Sequence, residues 1–140
     1  MILAARKASG TLAWFAAATL VAACQAKTPA ASNSGSGKSA ALRTMEQVAI
    51  AAHRCWFASK DPDFAPYRMA NELNSFSGQP RFLLVPARNY EGRPLLVVQA
   101  RGNSSQVEVF GPIMGEALGS RVAVDIERWR SGDNSCSASA

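Results

Sequence analysis

The chain has 140 residues, with 15 Lys and Arg against 10 Asp and Glu, a formal net charge of +5. Four of the bases (Arg6, Lys7, Lys27 and Lys38) precede residue 41, after which 11 basic residues face 10 acidic ones. That near-neutral balance excludes nucleic acid as a partner, because neutralising phosphates takes a dense basic footprint.

Residues 1–23 carry Arg6 and Lys7 in front, an apolar run from Thr11 to Ala23, and small residues at the end. A charged front followed by a short apolar stretch is the layout of a secretory signal, and the run is too short and alanine-rich for a membrane span. It ends in Leu20, Val21, Ala22 and Ala23, directly before Cys24. The stretch resembles the lipobox of bacterial lipoproteins, in which the cysteine sulfur takes a diacylglycerol. The preceding peptide is then cut away and the new amino terminus acylated. The resemblance implies that residues 1–23 are removed, that Cys24 is the lipidation site, and that the membrane is a partner through its acyl chains. Several chains hold a protein almost permanently where one holds it marginally. An aspartate after the cysteine favours inner-membrane retention in that family. Gln25 stands there instead, so the resemblance implies the outer membrane, with a folded part facing the periplasm or the cell surface.

Residues 24–40 continue from the acylated cysteine as a polar stretch of Ser, Gly, Pro, Ala and Lys with nothing to bury, which reads as a flexible linker. Its root-mean-square span is roughly 20–25 Å, and about 50 Å fully stretched, so a domain at its end works near its anchor.

Residues 41–140 suffice for a single small domain. The stretch from Ala41 to Ser59 repeats Leu42, Met45, Ala49, Ala52 and Trp56 at steps of three and four, which predicts an amphipathic helix capped by Ser39 or Thr44. Asp61 and Pro62 end it. Residues 66–76 suit either a helix or a strand, and the turn-rich Ser75–Pro80 that follows favours a strand entering a hairpin. Strands are then expected at Phe82–Val85, Leu95–Ala100, Val107–Phe110 and Val122–Trp129, the last with one wet face because Val122, Val124 and Ile126 alternate with Ala123, Asp125 and Glu127. The expected fold class is α+β, with one N-terminal helix packed on a four- to five-stranded antiparallel sheet in two layers.

Phe82–Val85 and Leu95–Val98 are apolar at successive positions, so both faces of the central strands need cover. One helix covers one face. Either a loop or the chain ends cover the other, or it is an interaction face. Gly111–Gly119 joins two expected strands with more residues than a hairpin needs. It either tucks Ile113 and Leu118 over the open face or serves as a binding loop. The candidate interaction face is accordingly Leu84, Val97, Ile113, Met114 and Leu118.

Apart from Cys24, two cysteines remain, Cys55 and Cys136. An even pair in a small exported domain predicts a disulfide, here one pinning the helix to the final strand. In the chain-entropy picture such a long closure is worth about 4–5 kcal/mol. His53, the only histidine, lies two residues from Cys55, about 200° round a helix, so the two form no catalytic dyad. Asp61 and Asp63 are too few for a calcium loop and read as turn residues. No catalytic residue, metal site or cofactor is expected.

Cys55-Trp56-Phe57, Asn74–Pro86 and Gly111–Gly119 are similar to segments of small envelope lipoproteins of unknown activity from rhizobial and related alphaproteobacteria. The expected role is a non-enzymatic, outer-membrane-anchored interaction module whose partner is an envelope protein or a second copy. The alternatives are glycan or peptidoglycan binding through aromatics and Arg81, Arg88 and Arg93, and, last, a hydrolytic enzyme.

Overall fold

The structure, a computed structural model, describes residues 37–137. The signal-like residues 1–23, Cys24 and the linker up to residue 36 lie outside the described residues. No described helix is long and apolar enough to cross a membrane.

The first helix, α1, spans Ala40–Ala52. Ser39 caps it, its hydroxyl accepting the Leu42 N–H at 3.1 Å. Such a cap is worth about 1 kcal/mol against alanine. Ala41, Met45, Val48, Ala49 and Ala52 form its buried stripe. The helix then widens into a π-helical turn over His53–Ala58, closed by the Ser59 N–H on the Arg54 carbonyl at 3.1 Å. This turn carries Cys55 and Trp56 into the core. Lys60, at φ 59°, breaks the helical path. Asp61 then caps a 3-10 turn over Pro62–Phe64, accepting the Asp63 N–H at 3.1 Å. That turn lays Phe64 flat on Trp56, ring centroids 4.4 Å apart.

Four strands follow: β1 Tyr67–Glu72, β2 Arg81–Pro86, β3 Leu96–Ala100 and β4 Val107–Phe110. They pair as an antiparallel meander in the order β1-β2-β3-β4. Side chains alternate between the two faces. On the inner face Met69, Leu84 and Leu96 stand opposite one another, with Phe82, Val98 and Val109 in the next row. These residues share one core with both helices.

The last element corrects the sequence reading. The segment expected as a strand over Val122–Trp129 is a helix, α2, spanning Ala117–Arg130. Gly119, Val122, Ile126 and Trp129 are buried at steps of three and four, whereas Val124 is 61% exposed. Helix periodicity and tertiary cover therefore override the short alternation. Ion pairs Arg128–Asp125 and Arg130–Glu127, three residues apart, fit the helix as well. The fold is thus α+β with two helices and a four-stranded sheet, and the fifth strand is absent from the described residues.

Gly111–Gly119 correspondingly links a strand to a helix and does not join two strands. Gly111 turns the chain at φ 135°, and a Cβ there would stand 2.4 Å from the Leu95 carbonyl oxygen. A 3-10 turn over Pro112–Gly115 then drives Ile113 into the core on the helix side. At Gly119 a Cβ would meet the Met114 oxygen at 2.5 Å, so only glycine lets α2 start this close to that turn.

Candidate interaction surface

Because both helices pack on the inner face, the other parity of each strand forms an outer face. Strand register arranges it in transverse rows. Ala70 pairs with Leu83, Leu83 with Val97, and Val97 with Phe110, one apolar side chain from each of the four strands. At about 4.8 Å per strand spacing the row is roughly 14 Å wide. Leu83, Val97 and Phe110 stand outside the core cluster, and Phe110 is 48% exposed. Val85, two positions along β2, is buried yet also lies outside that cluster.

The neighbouring row is polar and internally paired: Glu72, Arg81, Gln99 and Glu108. Arg81 Nε lies 2.5 Å from Glu72 Oε2, and Gln99 Nε2 donates to Glu108 Oε2 at 2.8 Å. Arg101 adds a 3.1 Å contact to the same carboxylate oxygen. Surface pairs of this kind contribute up to about 1 kcal/mol each to stability. Their larger effect here is to fix a charged border beside the apolar row.

The residues chosen from sequence do not make one surface. Leu84 is 0% exposed and Ile113 1%, both deep in the core, so neither faces a partner. Met114 and Leu118 are half-buried against the same core. Of the five, Val97 alone lies on the outer face. Leu83 and Phe110 are the residues missed. The signal for them was the strand alternation itself, but its parity becomes readable only once the helices' side is known.

The opposite layer is locked by polar groups. Asp125, fully buried on α2, accepts the Trp56 indole N–H at 2.9 Å, a bond from Arg128, and the Ser137 hydroxyl at 3.3 Å. One turn earlier Arg121 grips Asp61 and, at 2.7 Å, Asp63, with its guanidinium carbon 5.3 Å from the centre of the Phe64 ring. The hydrogen bond from Arg121 holds the Asp61 carboxyl below its ordinary 3.8 despite burial, and Asp61 raises Arg121 in return. The aspartates that flank Pro62 are thus a helix-to-helix clamp.

Cys55 and Cys136 are joined by a disulfide, with their Cα atoms 5.3 Å apart. Since the final element is a helix, the bridge ties the π-helical turn to the segment after α2, and not to a strand as expected. Trp129 Nε1 and Arg128 Nε both donate to the Ser135 carbonyl, at 2.9 and 3.1 Å. Arg54 donates to the Asn134 carbonyl. The carboxyl-terminal segment is therefore a strap across Trp129 and the end of α1. With Cys55 in a disulfide, its sulfur is no thiolate nucleophile, and His53 is exposed on the helix flank.

Trp56 and Trp129 are buried and offer no face to a glycan. Tyr90 is exposed on the loop that also carries Arg88 and Arg93. Among the described residues no group of three His, Cys, Asp or Glu side chains is placed to hold a metal ion. Comparison with protein-family models, curated proteins and solved structures finds no match to this chain.

Proposed function

We propose that the chain is an outer-membrane lipoprotein, anchored through acyl groups on Cys24, whose folded part is a non-enzymatic module for binding another envelope protein. One observation carries the binding role: the apolar row Ala70, Leu83, Val97 and Phe110 crosses the whole sheet on the face that neither helix covers. Apolar surface of this kind beside a fixed polar border is the composition of a docking surface, with an apolar centre and a wet rim. The disulfide supports an oxidising, extracytoplasmic compartment, and the lipobox-like Leu20–Cys24 supplies the anchor.

The test places a photo-crosslinking residue at position 97 or, as control, at the exposed position 124 of α2, in the native host. A discrete adduct with an envelope protein from 97, absent from 124 and lost in L83D, is the expected result. Equal labelling from both positions overturns the binding role, and an adduct whose mass is that of two copies of this chain overturns the choice of another envelope protein as partner. Mass spectrometry of residue 24 tests the anchor separately, and an unmodified cysteine there removes it.

A further inference from the structure

A groove lies not on the sheet's outer face but beside α1. It has a volume of about 640 Å³ and is walled by Lys38, Glu46, Ile50, His53 and Arg54 on one side and Leu73 on the other. Asn71 and Leu73 also line a second hollow, with Glu72, which is paired to Arg81, and Phe76 on the tip of the β1–β2 hairpin. Phe76 is fully exposed and Ile50 is 68% exposed. Two large apolar side chains, one in each of two hollows that share Asn71 and Leu73, therefore stand in water.

The charges around them are unequal. Glu46 is matched by Lys38, its carboxylate oxygens both 2.7 Å from the ammonium nitrogen. Arg43 and Arg54 donate only to backbone carbonyls among the described residues, those of Lys38 and Asn134. Arg43 and Ile50 are seven positions apart, about 20° round the helix, on the side opposite the buried Ala41, Met45, Val48 and Ala52. The helix back thus sets one exposed apolar side chain, Ile50, beside Arg43 and the ion-paired Glu46, and a cation next to an exposed apolar side chain suits an element that lies on a membrane surface. The chain that leads to Cys24 leaves from this same place. Lys38 lines the groove and Ser39 caps α1, only 14 and 15 residues after Cys24.

We infer that this side of the domain, with Ile50, Phe76, Arg43 and Arg54 foremost, rests on the bilayer that holds the acyl anchor, against anionic lipid headgroups. The inference rests on the lipid anchor proposed above. Tethering makes even a weak contact effective, because a short linker keeps the surface at high local concentration beside the bilayer. The guanidiniums meet headgroup phosphates while Ile50 and Phe76 reach the acyl boundary. Since α1 lies on the inner face of the sheet, this orientation turns the Leu83–Val97–Phe110 row away from the lipid.

The acylated protein, purified from its host and reconstituted into phosphatidylethanolamine–phosphatidylglycerol vesicles with brominated acyl chains, provides the test. Three variants, Ile50→Trp, Phe76→Trp and Tyr90→Trp, report depth through bromine quenching, since Trp56 and Trp129 are buried and Trp14 leaves with the signal. Tyr90 is an exposed control on the β2–β3 connection, at the other end of the sheet from Phe76. Quenching at positions 50 and 76 should exceed that at 90 by about twofold, because interfacial residues sit roughly 5–10 Å into the headgroup–acyl boundary. It should fall towards the control when Arg43→Glu and Arg54→Glu are added. Acylated, vesicle-bound protein with equal quenching at all three positions overturns this orientation and leaves the anchor standing. Protein that carries no acyl chain and stays off the vesicles overturns the anchor, and the orientation with it.

Discussion

The two faces of the sheet are built from the same kinds of side chain and have opposite fates. On the inner face Met69, Leu84 and Leu96, with Phe82, Val98 and Val109, meet two helices, and Trp56 and Trp129 close over them. On the outer face Ala70, Leu83, Val97 and Phe110 form a row just as continuous, with no helix above it. Hydrophobicity alone does not separate the faces; what stands over each one does. The inner cover is held in place by a disulfide, the Arg121 clamp and the buried Asp125, all of which lie on the helix side. The outer face has only surface ion pairs at its border. The disulfide, the clamp and the buried carboxylate are thus all concentrated in one layer.

The sharpest way to break this contrast is to put the same charge on adjacent residues of β2. Leu84→Asp buries a carboxylate among apolar side chains and should cost about 4 kcal/mol or more, unfolding the domain at ordinary temperatures. Leu83→Asp, one residue away, should cost about 1 kcal/mol or less and keep a native circular dichroism spectrum. Equal losses in urea denaturation would mean that the outer face is covered after all.

Reducing the Cys55–Cys136 bridge should come next, at about 2–5 kcal/mol. Because the strap lies across Trp129, reduction should also change tryptophan emission. Crosslinking from position 97 should survive wherever the reduced protein remains folded.

The clamp adds a pH dependence confined to the inner layer. The Asp61 carboxyl is held below 3.8 in the folded state by Arg121, so its contribution is fully present above the unfolded value and is lost as pH falls through the folded one. Asp61→Asn should therefore be less stable at neutral pH and show a shallower acid loss below about pH 4, read as urea midpoint against pH. An unchanged slope would remove Asp61 from the clamp.

The smallest effect is expected for Phe110→Ser, on the outer row: about 0.5–1 kcal/mol or less in stability, for a half-exposed side chain. Its crosslinking from position 97 should nonetheless drop markedly. A large stability loss with unchanged crosslinking would invert the assignment of the two faces.

Part of this could be read along the chain. The apolar runs Phe82–Val85 and Leu95–Val98 fall on strands as expected, and so does Val107–Phe110. Cysteine number pointed to Cys55 with Cys136. The choice of Leu84 as a binding residue failed because alternation gives two faces without labelling them. The strand expected over Val122–Trp129 failed because Val122, Val124 and Ile126 satisfy a two-residue period, while Gly119, Val122, Ile126 and Trp129 satisfy the helical one. Asp125 looked like the wet side of a strand and is instead the most deeply buried carboxylate of the core.

Composition by itself determined the near-neutral charge of residues 41–140, the polar stretch before them and the number of cysteines left to pair, since these are sums along the chain and need no geometry. Tertiary structure alone decided that α2 is a helix, that Ile113 points inward, and which half of each strand faces the helices. A short amphipathic segment fits two periodicities almost equally well, and only the surface it finally packs against breaks the tie.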